Sequence, residues 1–292
     1  MLLPGLVVGF WRIVGSEYSW VPAAVASLFA ALSIAIMCSS VSALTKDNRG
    51  WLFGLVLLAT PGYLIQPAYQ MADFPLGVYF LATVVLLQFA NALPQIRKHL
   101  LILAGLSAGL AGWTKDEGLL FIVVLLALFT LTFAISRSWR AFFHHMCFFG
   151  AGLGPVLVLI ISFKIFLARP DTMFRGQSYI ELLTDSQRYA QIAAAFLDQT
   201  FHFGLATINP ILLVAFCLVL YGVPIESVRI TRFSFSLLLL TPAMLVGYFV
   251  VYAISPYDLS WHLSSSLDRL LLQLWPMLVF SLAMISVPIG ER

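Results

Sequence analysis

Three consecutive charged residues, Lys115, Asp116 and Glu117, lie between two long apolar runs of this sequence. Only 10% of the 292 residues are charged. Charges beside the hydrocarbon of a bilayer are costly, so such residues are functional candidates by default. The acids could move a proton, and a lysine at a helix start could bind a phosphate. The segment predicts either an acid–base site or an anion-binding site.

The same segment also has a structural explanation. Thr114 and Glu117 have the spacing of a capping box, and acids in a first helical turn suit the helix dipole. Lys115 fits that explanation poorly, because a cation opposes the dipole at a helix N-terminus. An incoming anion would explain Lys115, and so would a local salt bridge to Asp116 or Glu117. Both interpretations stay open.

A second acid, Asp73, occurs in the stretch QMADFPL at 70–76, two residues before Pro75. As a structural residue it would cap the N-terminus of the following helix. As a catalytic residue it would take a proton from an acceptor or hold a divalent cation. One carboxylate can do both.

The third polar stretch, YDLSWHLSSSLDR at 257–269, runs directly into an apolar segment. Arg269 could bind a phosphate oxygen, and His262 could carry a proton or act as a ligand. The alternatives are structural: Arg269 pairs with Asp268 or reaches the interface, and a lone histidine packs in the core.

The composition predicts an integral membrane protein, because 61% of the residues are hydrophobic. A transmembrane helix needs about 20 mostly apolar residues. We therefore predict an all-α, polytopic transmembrane helix bundle in one domain, 1–292, with interfacial helices at 1–16 and within the amphipathic outer loop 168–204. The predicted spans are nine: 20–43, 51–68, 75–93, 99–114, 118–135, 146–167, 205–223, 233–254 and 270–288. The small residues of the fourth span predict close helix packing. The three cysteines lie in apolar runs, which favours packing over disulfides or a metal cluster.

The distribution of basic residues predicts the orientation of these spans. One set of loops, with the C-terminal end, contains only three acids: Asp47, Glu226 and Glu291. Its bases are Lys46, Arg49, Arg97, Lys98, Arg137, Arg140, Arg229, Arg232 and Arg292. The positive-inside rule makes this set and the C-terminus cytoplasmic. Every candidate residue named above then lies on the outer side, where a phosphate-bearing lipid substrate would fit.

At these residues the sequence resembles the polytopic GT-C glycosyltransferases, especially bacterial relatives of protein O-mannosyltransferases and lipid A aminoarabinose transferases. The segments that resemble family motifs are short: LPGL to GSE at 3–17, ADFPL at 72–76, GWTK at 112–115, WHL at 261–263 and Asp268-Arg269. Together they extend over nearly the whole chain. We expect a bacterial inner-membrane enzyme from this resemblance.

The resemblance implies transfer of a sugar from a polyprenyl phosphate carrier to an acceptor outside the cytoplasm. It implies that Asp73 is the candidate for the carboxylate that deprotonates the acceptor and that Lys115 and Arg269 contact the phosphate, whereas the catalytic roles of Asp116 and Glu117 and the binding role of His262 are less defined. The expected partners are the lipid-linked sugar and the bilayer, not nucleic acid. A divalent cation is the only candidate cofactor, and the sequence does not predict the oligomeric state.

In one respect the chain departs from the family pattern. Family members begin with a span and an outer loop that carries their principal catalytic acid, and no acid precedes Glu17 in this sequence. We therefore expect a truncated product, a misassigned start or an inactive remnant. The alternative functions are a non-catalytic membrane paralogue or scaffold and, less favoured, a secondary transporter. Transporters usually keep polar groups at mid-membrane, whereas here they gather at one face.

Overall fold

The computed structural model describes residues 2–168, 179–202 and 237–285, together with the isolated positions Gly204, Leu212, Ala215 and Val219. Within these ranges the regular structure is helical and contains no strand. The α-helices are α1 Leu2–Val14, α2 Trp20–Thr45, α3 Arg49–Leu58, α4 Pro61–Ile65, α5 Asp73–Ala92, α6 Arg97–Thr114, α7 Asp116–Ile135, α8 Trp139–Phe166, α9 Tyr179–Thr184, α10 Ser186–His202, α11 Leu240–Ile254 and α12 Leu259–Ile285. The predicted fold class, an all-α polytopic membrane bundle, is confirmed.

Five of the described helices are long and apolar enough to cross a membrane: α2, α5, α7, α8 and α12. A sixth span results if α3 and the bent segment after it count together. The predicted span 205–223, apart from three isolated positions, and the ends of two others, 233–236 and 286–288, lie outside the described residues. The predicted total of nine spans therefore stays a prediction.

The predicted span 51–68 is broken in the structure. Helix α3 ends at Leu58, and the helical segment Pro61–Tyr69 leaves it at an angle of 77°. Thr60 has an extended backbone, which is the conformation favoured before a proline such as Pro61. The Thr60 side chain completes the corner, because its Oγ1 donates to the Val56 carbonyl oxygen and accepts the indole N–H of Trp275.

Helices α6 and α8 run parallel with their main chains in contact. A Cβ added at Gly105 would collide with the carbonyl oxygen of Phe149, and one added at Gly152 would collide with that of Ile102. Only glycine leaves room for this approach, as is usual where small residues line a membrane helix interface. This packing fixes the end of α6, and therefore the position of Lys115.

The centre of the bundle is formed by α5 and α12, the most buried of the candidate spans. Helix α12 starts at Leu259, so it includes most of the polar stretch 257–269 as its first turns. Helix α10 packs on α11 through Phe196, whose ring lies 5.9 Å from that of Phe249 and 6.0 Å from that of Tyr252. Gln191 of α10 also donates to Ser260 Oγ at 2.8 Å, which brings the described part of the loop 168–204 against the polar end of α12.

Candidate functional site

Asp73 is the first residue of α5 and is almost completely buried, with 3% of its surface exposed. Lys115 Nζ lies 2.9 Å from its Oδ1, Arg269 Nη1 lies 3.5 Å from its Oδ2, and Gln273 Nε2 donates to Oδ1. The N-cap of α5 is Ala72, without a side-chain capping bond. The Asp73 carboxylate thus binds side chains from α12 and from the α6–α7 junction instead of capping its own helix.

The extended backbone of Lys115 separates α6 from α7. Its ammonium lies 2.9 Å from Asp73 and 2.8 Å from Glu117 Oε1. Burial disfavours the charged ammonium, but the two carboxylates outweigh that effect and raise the pKa of Lys115 above its ordinary value. Lys115 therefore stays protonated at neutral pH. The N-cap of α7 is Lys115 and not Thr114, whose hydroxyl donates to the Leu110 carbonyl oxygen of α6.

Arg269 directs its guanidinium toward α5. Nη1 contacts Asp73 and also donates to Met71 Sδ at 3.2 Å, while Nε donates to the Ser265 carbonyl oxygen at 3.1 Å. Asp268, the alternative partner considered from the sequence, instead accepts the N–H of Gly204 at 2.8 Å. Arg269 is thus held across two helices.

Asp116 and Glu117 are neighbours with different surroundings. The Asp116 side chain is 70% exposed and pairs with Lys164 of α8 at 2.6 Å. The Glu117 side chain is only 25% exposed and pairs with Lys115 through Oε1. The Asp116–Lys164 pair therefore lies at the exposed rim of the site, where ion pairs contribute little free energy.

His262 lies in the first turns of α12. Its Nδ1 is hydrogen-bonded to Ser255 Oγ at 2.9 Å, and its ring packs edge-on against Tyr252 at 4.7 Å. The Tyr252 hydroxyl in turn is hydrogen-bonded to Ser266 Oγ at 2.7 Å.

All six residues predicted from the sequence line one cavity of about 310 Å³: Asp73, Lys115, Asp116, Glu117, His262 and Arg269. The cavity lies between α5, α7, α11 and α12, and its wall also includes Tyr248, Tyr252, Tyr257 and Ser266. The structure therefore brings the three polar stretches of the sequence together. Their catalytic and binding roles stay predictions.

Sequence reasoning missed Gln273 and Tyr248. Gln273 is 1% exposed, donates to Asp73 and accepts the hydroxyl of Tyr248 at 3.2 Å. The sequence does contain a pattern that indicates Gln273, because the polar residues at positions 262, 266, 269 and 273 recur at the spacing of one helix face. That face of α12 is directed at the cavity.

Gly77 allows the main chain of α5 to lie directly against Gln273 of α12. A Cβ at Gly77 would lie 2.9 Å from the Gln273 carbonyl oxygen and 3.3 Å from its Cα. Gly77 follows Asp73 by four residues, so both lie on the same face of α5. The close approach of the two helices thereby sets the contact between Asp73 and Gln273.

A divalent cation fits this site poorly. No group of three or more His, Cys, Asp or Glu side chains with a metal-binding arrangement occurs among the described residues. The oxygens of Asp73 already accept from Lys115, Arg269 and Gln273. Asp73 is therefore not available as a ligand of a divalent cation.

A second cavity, of about 280 Å³, adjoins the first. It is enclosed by α1, α2, the 3₁₀ turn Gln66–Tyr69 and α5, with Trp11, Pro22 and Phe74 among its mostly apolar lining residues. Met71 also lines it, and Met71 accepts the hydrogen bond from Arg269. The apolar cavity therefore begins next to the cationic cluster.

No protein-family model matches this sequence, and no curated protein sequence does. The solved structures include a match, ArnT from Cupriavidus metallidurans in the apo state, with a TM-score of 0.53 and 15% sequence identity. ArnT is a GT-C lipid A aminoarabinose transferase. The alignment covers 97% of the present chain.

The chain shares the GT-C fold of ArnT. It spans about half the length of ArnT, because the alignment covers 48% of that chain. Within this GT-C fold, the cavity lined by Asp73, Lys115 and Arg269 is the main concentration of charge among the buried and half-buried residues of the described ranges.

Proposed function

We propose that this chain belongs to a membrane glycosyltransferase that takes a sugar from a polyprenyl phosphate donor and passes it to an acceptor on the outer side of a bacterial inner membrane. The observation that carries the proposal is the meeting of Lys115 and Arg269 at Asp73 in a cavity of a GT-C fold. Cations held in a half-buried cavity stabilise the negative charge that develops on a departing phosphate.

Both cations keep donors for a phosphate. An ammonium has three N–H groups, and Lys115 uses two of them, for Asp73 and Glu117. Arg269 uses Nε and Nη1, and among the described residues its Nη2 makes no hydrogen bond. Asp73 and Gln273 hold these cations in place before a ligand arrives, which avoids the cost of organising them on binding.

Glu117 suits the role of proton acceptor better than Asp73. The Asp73 oxygens are occupied by Lys115, Arg269 and Gln273, so Asp73 acts mainly by organising the two cations. Glu117 uses Oε1 for Lys115, and its second oxygen has no partner among the described residues. That oxygen is available to take the proton of an acceptor hydroxyl or amine.

The apolar cavity beside Met71 suits a lipid-linked donor. A phosphate bound by Arg269 would lie next to it, and its walls offer the isoprenoid chain a mostly hydrocarbon surface. The C-terminus is then cytoplasmic and the charged cavity faces outward, as the distribution of basic residues predicts.

A binding experiment tests the proposal directly. Detergent-solubilised protein is titrated with polyprenyl phosphate and, as the matched ligand, with polyprenol that lacks the phosphate. We expect polyprenyl phosphate to bind at least about tenfold more tightly, because a hydrogen bond to a charged group contributes about 1.5–3 kcal/mol. Lys115→Ala should remove that preference, whereas Lys164→Ala, at the exposed rim pair, should keep it.

Equal affinity for the two lipids, or an unchanged preference in Lys115→Ala, would overturn the phosphate site. Sugar transfer is then measured with membranes that contain the full gene product and a polyprenyl phosphate sugar. Binding without any transfer would instead favour the non-catalytic membrane paralogue.

A further inference from the structure

Arg188, on the first turn of α10, is a buried cation that the site described above does not use. It is 9% exposed, and no carboxylate of the described residues pairs with it. Its Nη2 donates to the carbonyl oxygens of Tyr252 at 2.8 Å and Ser255 at 2.6 Å, at the C-terminal end of α11. Its Nε has no partner among the residues that the structure describes.

A cation at a helix C-terminus is favourable, because the last carbonyl groups carry partial negative charge. This interaction explains why a buried arginine is stable at position 188. It does not explain why Arg188 binds the carbonyl groups of Tyr252 and Ser255 in particular, and both of these residues contact His262. Tyr252 packs its ring on the imidazole, and Ser255 hydrogen-bonds to Nδ1.

The surroundings of Ser255 favour one direction for its hydrogen bond to His262. Ser255 is completely buried, and its Oγ accepts the backbone N–H of Tyr257 in a long contact of 3.5 Å. With that N–H as the donor to Oγ, Nδ1 of His262 serves as the acceptor for the Ser255 hydroxyl hydrogen. A neutral imidazole that accepts at Nδ1 carries its hydrogen on Nε2.

We propose that Arg188 is a positioning residue that, through Ser255 and the Tyr252 backbone, presents the Nε2–H group of His262 to the cavity as a neutral hydrogen-bond donor. The group it would bind is a hydroxyl or carbonyl oxygen of the sugar portion, because Lys115 and Arg269 already provide the cations for a phosphate. The identity of this ligand rests on the proposed function; the positioning of His262 does not.

Nitrogen NMR of the solubilised protein tests the positioning without any assay of activity. The ring nitrogens of ¹⁵N-histidine have different shifts when protonated and unprotonated, and His262→Gln assigns the His262 signals among those of the five histidines. We expect the wild-type protein to show Nε2 protonated and Nδ1 unprotonated. Arg188→Met and Ser255→Ala should each produce a mixture of the two tautomers.

Two further variants separate positioning from general loss of structure. Gln191→Leu, on the same helix, removes a bond to Ser260 Oγ that is outside this chain of contacts, so the His262 signals should stay as in wild type. Arg188→Lys should restore them in part, because an ammonium can still donate to a carbonyl oxygen. If Arg188→Met does not fold, Arg188→Lys decides the role of Arg188, because it keeps the buried charge: a partial mixture of tautomers supports positioning, and wild-type signals contradict it.

A wild-type Nδ1–H tautomer would overturn the proposal, and so would His262 signals that Arg188→Met or Ser255→Ala leaves unchanged. A parallel kinetic measurement identifies the ligand. If sugar transfer is detectable, Ser255→Ala and His262→Gln should both lower kcat/KM for the donor by about tenfold, the loss of one hydrogen bond. An altered tautomer in a protein without transfer would leave the positioning intact and reject the proposed function instead.

Discussion

Gly77 of α5 lies directly against the main chain of Gln273 of α12, so close that any Cβ at position 77 would lie 2.9 Å from the Gln273 carbonyl oxygen. The contact is between the two most buried candidate spans, and it lies about one helical turn beyond Asp73 along α5. A side chain at position 77 would therefore separate the helices where the candidate site depends on their contact.

We predict that Gly77→Ala destabilises the protein by about 1–3 kcal/mol, the usual cost of overpacking a core. Thermal unfolding in detergent measures this change. Gly154→Ala is the matched control, because a Cβ at Gly154 of α8 meets nothing within 4 Å. Alanine is the better helix former, so the control should melt at or above the wild-type temperature. A Gly77→Ala protein as stable as its control would show that the helices can separate without cost.

Gln273→Met should weaken both stability and phosphate binding. The variant removes the donor to Asp73 and leaves the Tyr248 hydroxyl buried without its acceptor, which costs about 1–3 kcal/mol. Denaturation measures the first effect and titration with polyprenyl phosphate the second. Ser281→Ala on the same helix should affect stability alone, because Ser281 Oγ donates to the Met277 carbonyl oxygen away from the cavity. Equal binding losses in both variants would count against a positioning role for Gln273.

Glu117→Gln should lower the kcat of sugar transfer by about a hundredfold or more, the usual contribution of a positioned general base. Its neighbour provides the control. Asp116→Asn should change kcat little, because the Asp116 carboxylate is mostly exposed and pairs with Lys164 at the rim. Asp73→Asn should mainly raise the KM for the donor, since Asp73 organises the cations. If Asp116→Asn and Glu117→Gln had the same effect, neither carboxylate could be assigned as the base.

The predicted orientation can be tested by labelling single cysteines in a background without the native ones. A cysteine at Asp116 should react with a membrane-impermeant maleimide added to intact spheroplasts. A cysteine at Arg140, in the first turn of α8, should react only after the membrane is permeabilised. The expectation follows from the excess of basic residues on that side. The reverse pattern would place the charged cavity in the cytoplasm.

Much of the helical framework could be predicted from apolar runs, because length and hydrophobicity define a candidate span without reference to its neighbours. The break after Leu58 could not be predicted that way, although Pro61 and Gly62 signal it. The mean hydropathy of a whole candidate span is hardly changed by the two residues that bend the chain. The backbone contact between α6 and α8 likewise depends on which residues of the neighbouring helix each glycine faces. That is a property of the assembled bundle.

The candidate site was predictable in part for a similar reason. Charges in an apolar chain are conspicuous, so Asp73, Lys115 and Arg269 could be selected by type alone. Gln273 and Arg188 were not selected. Gln273 lies inside an apolar span, and Arg188 lies in a loop where charges are ordinary. Their contacts join positions 200 and 64 to 67 residues apart in the chain, which only the folded structure reveals.

Helix α12 carries His262, Arg269 and Gln273 on a single uninterrupted rod from Leu259 to Ile285. Each residue turns an α-helix by about 100° and lengthens it by about 1.5 Å. One residue inserted between His262 and Arg269 would therefore swing the imidazole out of the cavity while the guanidinium stayed in place. Evolution can vary the side chains along this rod, but it cannot change their number without dismantling one end of the site.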